Sequence, residues 1–463
     1  MFTIHLNSKS ETPLYEQIYQ YIKNEIKIGA LAYGEKLPST RSLAAHLQVS
    51  RNTIDMAYGQ LSSEGYIESK EKKGYFVNEV TEFIPYTSHK KISKFVTSEK
   101  KEKYKYDFSP FAIDINSFPY NTWRKLSKNV LLDNNDIFLQ GLGQGDDQLR
   151  AAIGKYLHES RNVNCTREQI IVGAGIDYLL QLLLQLLPDN SKIAMENPSY
   201  KKAYKIFTGL NYPVTPIELD SSGISIHELS NLDINVAYVT PSHQYPIGIV
   251  MPIKRRLELL NWAASSEKRY IIEDDHDSEF RYKGKPIPAL QGLDPHNKVI
   301  YLGTFSRAIA PGIRIAYMVL PNDLLKVYQK QYSYYSSTVS RVDQSILTAF
   351  IEDGYFERHL NKMRKIYKNK HDLIINSLKI FEDKVQILGE NAGLHLVIKM
   401  HLNYTESEIV EIGKKNNIKL YGLKDYYIRD PGESYVPTIL LGYANMSESE
   451  ITDGIQLLKK VLM

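Results

Sequence analysis

The sequence predicts an α/β chain in two parts: a small three-helix unit with a β-hairpin, then a larger, mostly parallel, doubly wound sheet with a smaller C-terminal α/β lobe. Three observations carry this. The first 80 residues hold three amphipathic helical patterns followed by two short β-rich runs. From residue 107 onward, short apolar runs alternate with helical stretches, the pattern of a sheet covered on both faces. The length, 463 residues, calls for two to four units at about 100 to 200 residues each.

In the first part, Leu14, Ile18, Tyr21, Ile22 and Ile26 recur at helical spacing between Pro13, suited to a first turn, and Gly29, suited to a stop. Ser39 caps a second helix with Leu43 and Leu47 on one face. After the turn Gln48–Val49, Ser50 caps a third helix bearing Ile54, Ala57, Tyr58 and Leu61, which Gly65 ends. The runs Tyr66–Glu68 and Tyr75–Val77, joined through Lys70, Lys72, Lys73 and Gly74, complete a winged helix-turn-helix pattern. Ser50, Arg51, Asn52 and Thr53 then lie at the start of the recognition helix, where side chains meet base edges. Arg41 is placed to grip a phosphate, and the wing lysines to follow the neighbouring backbone.

Charge is informative only by segment. Residues 1–80 carry 9 basic and 9 acidic side chains, and residues 107–463 carry 41 of each. The whole net charge of +4 therefore lies in residues 81–106, a basic linker with seven lysines and three glutamates. With 43% hydrophobic and 24% charged residues, disorder throughout is excluded. The single Cys165 excludes an internal disulfide and a thiolate metal site, and predicts a reducing compartment. No basic-then-apolar leader opens the chain. The longest apolar run, Tyr178–Leu187, is broken by Gln181 and Gln185 and falls short of the roughly 18 residues of a membrane span. The expected location is cytoplasmic.

The strings PLYEQIYQYI, GEKLPSTRSLAAHLQVSRNTI and LSSEGYIESKEKKGYFV resemble the DNA-binding domain of the GntR family of bacterial regulators. The resemblance covers residues 12–77 and implies contact with double-stranded operator DNA by Ser39, Arg41, Ser50, Arg51, Asn52, Thr53 and the wing at Lys72, Lys73 and Gly74.

In the second part, strands are expected at Ile170–Val172, Lys192–Met195, Val236–Thr240, Tyr270–Glu273 and Val299–Leu302, with helices at Asp177–Leu187 and Lys254–Ser265. The last hundred residues add a helix, Tyr355–Leu378, and strands at Leu394–Lys399 and Thr438–Leu441. In such folds ligand chemistry sits at the carboxyl ends of the strands. Gly173-Ala174-Gly175 opens a helix, so its backbone N–H groups are suited to an anion. Thr304, Ser306 and Arg314 make a phosphate cup. The carboxylates around His276 read as a strand end and turn; no metal site is expected.

The landmarks SFPYNTWRKL, GLGQGDDQLRAAIGKYL, EQIIVGAG, ENPSY, VTPSHQYPIG, IIEDDHDSEFRY and YLGTFSRAIAPGIRIAY resemble the fold-type-I aminotransferase domain of the MocR family of regulators. That resemblance implies a homodimer and a pyridoxal phosphate site. Asp274 would meet the pyridine nitrogen, His276 (usually Tyr) the phenolate, and Thr304, Ser306 and Arg314 the phosphate, with Gly173, Ala174, Gly175 and Tyr200 around them. Arg307 stands where the family has its cofactor-binding lysine. A guanidinium stays protonated and delocalised and cannot attack an aldehyde. Lys298, at the other end of the same strand, cannot replace it. Leu440 stands where a substrate-carboxylate arginine is expected, and Arg429 is the nearby candidate.

The pocket then has three states: pyridoxal phosphate held without a covalent bond, another anion met by Arg307, or a vestigial pocket that serves only as a dimerisation scaffold; in an empty site an Asp274–Arg307 salt bridge is expected. The expected division is a DNA-binding domain at 1–80, a linker at 81–106 and an effector and dimerisation domain at 107–463. The expected function is a transcriptional regulator, not an enzyme, sensing pyridoxal phosphate, an amino compound or another small anion. The alternative is an active pyridoxal phosphate-dependent aminotransferase carrying a DNA-binding head.

Overall fold

The computed structural model describes residues 4–7, 10–79, 103–132, 135–282, 284, 286–390 and 392–463. Most of the basic linker, including Lys90, Lys91, Lys94, Lys100 and Lys101, lies outside the described residues. The chain divides into two units, Met1–Lys101 and Glu102–Met463.

The first unit contains α1 (Leu14–Lys27), α2 (Thr40–Leu47) and α3 (Arg51–Ser63), then strands β1 (Ile67–Lys70) and β2 (Gly74–Val77). Both expected caps form: Ser39 Oγ accepts from the Ser42 N–H at 3.1 Å and Ser50 Oγ from the Thr53 N–H at 3.2 Å. Gln48 takes the left-handed conformation that turns α2 into α3. Ile18, Ile22, Leu43, Ile54, Ala57, Tyr58 and Leu61 form the core. Strand β1 extends past the expected Glu68 to Lys70, because Lys70 pairs with Gly74 and only Glu71–Lys73 remain as the hairpin tip.

The second unit begins with β3 (Tyr106–Asp107), α4 (Tyr120–Leu132) and α5 (Asp147–Arg161). Alternating elements follow: β4 (Ile170–Gly173), α6 (Ile176–Leu186), β5 (Ile193–Asn197), α7 (Lys201–Gly209), β6 (Val214–Asp220), β7 (Gly223–Ile224), α8 (Ile226–Ser230), β8 (Val236–Val239), α9 (Ile253–Ala264), β9 (Tyr270–Asp274), β10 (Val299–Thr304), α10 (Phe305–Ala308) and β11 (Ala316–Val319). They build one sheet in the order β4-β11-β10-β9-β8-β5-β6-β7. Strands β10, β9, β8, β5 and β6 are parallel, whereas β11 runs antiparallel to both β10 and β4. Successive residues face opposite layers: Ile272 joins the core under α6 with Leu179 and Leu183, and Ile271 the core under α9 with Leu259 and Trp262. Leu179, Leu180, Leu182, Leu183, Leu184 and Leu186 are all buried, so the leucine-rich segment is an interior helix.

Helices α11 (Asn322–Gln331), α12 (Arg341–Glu352) and α13 (Tyr355–Leu378) lead to the small lobe. Its sheet, β12 (Val385–Leu388), β13 (His395–Met400), β16 (Thr438–Gly442) and β15 (Tyr421–Gly422), is antiparallel. Helices α14 (Glu406–Lys415) and α15 (Glu448–Leu462) each begin in a capping box, from Thr405 and Ser447. Strand β3 pairs in parallel with β14 (Ile418–Lys419), and Tyr106 is buried there. No described helix is long and apolar enough to cross a membrane.

Candidate functional site

In the first unit, the residues at the start of α3 stand on a capped helix end. Ser50 spends its hydroxyl on the cap and on the Thr53 hydroxyl 2.8 Å away. Arg51 and Asn52 are exposed, and Arg51 Nε lies 3.5 Å from Asp55 one turn on, which orients the guanidinium. Arg41 is exposed on the first turn of α2. Lys72, in the left-handed conformation, and Lys73 are exposed at the hairpin tip, and Gly74 has φ 106°. Lys70 is less available to a partner: its Nζ is 2.7 Å from Glu68 and 5.0 Å from the Phe76 ring centroid.

In the second unit, the carboxyl ends of β9 and β10 meet the start of α6 around one pocket. Its lining includes Tyr200, Asp274, His276, Thr304, Ser306, Arg307 and Arg314, as expected, together with Phe111, Asp177, Lys202, Tyr245 and Asp277. Asp274 is buried, accepts a hydrogen bond from the Tyr238 hydroxyl, and is pushed up to about 6 by burial. Thr304 Oγ1 accepts from the Ser306 N–H and donates to the Ile315 carbonyl. Arg314 Nη2 donates to Ala174 O at 3.1 Å and lies 3.4 Å from Asp177 Oδ2, to which Lys202 Nζ also donates.

Three expectations need correction. Arg307 does not pair with Asp274. Its Nε and Nη2 reach the two oxygens of Asp277 at 2.8 and 2.9 Å, and Nη2 also donates to Pro110 O at 3.0 Å. Burial alone would raise Asp277, but the Arg307 guanidinium beside it holds the carboxyl well below the usual carboxylate range. Secondly, Gly173-Ala174-Gly175 is not an open set of donors, because Ala174 N–H bonds Thr338 Oγ1 at 3.0 Å and Gly175 N–H bonds Gly173 O at 2.7 Å. Gly175 instead gives Arg314 room: a Cβ there would lie 2.2 Å from Arg314 Nη2. Ile176 and Asp177, at the start of α6, line the pocket in their place. Thirdly, Arg429 is not among the lining residues. It faces Pro216 O at 3.2 Å and Glu218 at 3.9 Å, while Leu440 is buried in β16.

His276 packs on Tyr245 with ring centroids 4.5 Å apart, and its Nε2 is buried without a hydrogen-bond partner, 3.4 Å from Asp277. Burial pushes His276 down to about 4 and the nearby His243 to about 3. A histidine depressed in the folded state binds its proton more readily when unfolded, so stability falls as pH drops below the ordinary histidine value near 6.5. Thermal denaturation at pH 7 and pH 5 is expected to show a loss on the order of 2 kcal/mol for each of the two.

The residues missed by sequence are partners. Asp277 stood in the noted carboxylate run, but nothing local tied it to Arg307. Asp177 and Lys202 lie 25 positions apart and meet only when α6 and α7 pack.

The two units match two family models: "Bacterial regulatory proteins, gntR family" over residues 14–77 and "Aminotransferase class I and II" over residues 111–456. Full-length relatives combine both. The uncharacterized HTH-type transcriptional regulator YdeL of Bacillus subtilis (strain 168) is 40% identical over 99% of this chain and 98% of its own. The probable rhizopine catabolism regulatory protein MocR of Rhizobium meliloti is 30% identical over 99% and 95%. The chain belongs to the MocR-type transcriptional regulators. A further relative, the HTH-type pyridoxine biosynthesis transcriptional regulator PdxR of Corynebacterium glutamicum, is 31% identical over 85% of each chain. Among solved structures, Pyrococcus horikoshii kynurenine aminotransferase superposes with TM-score 0.69 at 23% identity, covering 81% of this chain and 96% of its own, which establishes the shared fold. This MocR-type regulator thus joins a DNA-binding helix-turn-helix to an aminotransferase-like fold.

Proposed function

We propose that the regulator senses pyridoxal phosphate, or an amino compound bound with it, in the pocket of its second unit without attaching the cofactor covalently and without transaminase activity. The observation that carries this is Arg307: its guanidinium, from the short helix α10 that follows β10, is committed to Asp277 and Pro110, and the one amine among the lining residues, Lys202, is engaged with Asp177. The remaining residues fit the group. Asp274 suits a protonated ring nitrogen, Thr304, Ser306 and Arg314 suit a phosphate, and the unpartnered His276 Nε2 suits a phenolic oxygen. Bound, pyridoxal phosphate supplies an electrophilic carbonyl to which an amine can add.

The Arg307–Pro110 hydrogen bond supports a route for signalling. A ligand that competes for Arg307 frees the Pro110–Phe111 segment, which follows the proposed linker (81–106) between the proposed DNA-binding domain (1–80) and effector domain (107–463). The ligand acts by favouring one state of that segment, a population shift. A homodimer is supported by five exposed apolar residues within one short stretch of chain, Leu131, Leu132, Phe138, Leu139 and Leu142, because exposed apolar surface is what association buries.

The test is a thermal-shift titration with pyridoxal phosphate, followed by borohydride. The expected result is stabilisation of the native protein with no borohydride-fixed chromophore, and a fixed chromophore in Arg307→Lys. A reducible chromophore in the native protein, or amino-group exchange by it, would overturn the reading.

A further inference from the structure

Helix α3 carries one side chain that phosphate and polar base contacts do not use. At about 100° per residue, the buried Ile54, Ala57, Tyr58 and Leu61 define one face of the helix, and the pole opposite falls among Asn52, Met56 and Ser63. Met56 is 48% exposed, the one large exposed hydrophobic on this helix. A polar neighbour on the same arc, Gln60, is partly tied up: its Nε2 donates to Glu64 at 2.7 Å. Gly59, on the next turn, has open space where a Cβ would stand, so no side chain there shields the thioether from a surface laid against the helix.

A single exposed apolar residue elsewhere on a protein needs no explanation. On a recognition helix it does have a specific counterpart, because the apolar group that base edges display in the major groove is the thymine C5-methyl. Met56 lies four residues, about 6 Å, beyond Asn52 along the helix, a distance of roughly two base-pair steps. Methionine suits the contact, being unbranched, polarizable and able to adjust its reach.

We propose that Met56 is a specificity-determining residue that reads a thymine methyl in the operator, within about two base pairs of the base edge facing Asn52. The proposal rests on the geometry of α3 and is independent of what occupies the ligand pocket.

The full-length protein is first used to select binding duplexes from a randomised pool. Each thymine of the selected half-site is then replaced in turn by uracil, which removes only the methyl group. At one position per half-site the replacement is expected to weaken binding by the native protein about fourfold, the effect of exposing one buried methyl. The same replacement should have little effect on Met56→Ala and Met56→Gln, while Met56→Leu keeps the penalty. Circular dichroism melting checks that the variants are folded; Met56→Gln, of similar length, guards against a loss of helix packing in the alanine variant. Uniform tolerance of uracil by the native protein, or a full penalty retained in both Met56→Ala and Met56→Gln, overturns the proposal.

Discussion

Replacing Arg51 by alanine is expected to lower operator affinity about 100-fold, the upper end of what one bidentate guanidinium contact provides, while leaving the assembly state unchanged. Arg51 opens α3, has a side chain 64% exposed, and is oriented by Asp55. Residues 1–80 have no net charge, so general attraction to phosphates cannot compensate for a lost contact. Fluorescence anisotropy at fixed salt, with sedimentation for the assembly state, measures both effects. Arg51→Lys keeps the charge but not the planar fork and is expected to recover only part of the affinity. Affinity unchanged in Arg51→Ala would remove the docking argument.

The second large effect is on stability. Asp277→Asn leaves the Arg307 guanidinium buried without a counter-charge, and breaking one side of a buried pair costs about 3–5 kcal/mol. The sign of the pH dependence follows from the depressed Asp277 carboxyl: the pair's contribution is fully present above the ordinary carboxylate value near 4 and is lost only as pH falls through the lower folded value. Denaturant melts should therefore show the same deficit from pH 5 to pH 8. The double variant Asp277→Asn, Arg307→Met removes both charges and is expected to regain much of the loss. If Asp277→Asn melts like the native protein, the ion pair is not what holds this wall of the pocket.

Legibility in the sequence followed the range of the interactions. The head was readable because its signals are local: Ser39 and Ser50 each cap the helix they precede, and Ile54, Ala57, Tyr58 and Leu61 fall on one face within two turns. The buried strands were readable from apolar runs, with ends one or two residues out. Strand β11 was not, since Ala316–Val319 looks like any short apolar run and its antiparallel direction is set by partners on both sides. The pocket's lining residues were largely identifiable because they follow strand ends, but their pairings were not. Arg307 chose Asp277 over Asp274 because Asp277, in a left-handed turn, presents both oxygens to the guanidinium, while Tyr238 takes Asp274. Its other contact, Pro110, is 197 positions away and has no local sequence signal.

The start of the second unit bears on how movement would enter it. Tyr106 and Phe108 are bound through their backbone to Asn417, Lys419 and Gly442 of the small lobe. Two residues later, Pro110 is bound to Arg307 in α10, just past the end of a large-sheet strand. Residues 106–110 thus form a stitch across the two lobes. A tug on the chain ahead of Tyr106 loads the small lobe first and the pocket wall next. By the same route in reverse, a change at Arg307 alters how firmly the arriving chain is anchored.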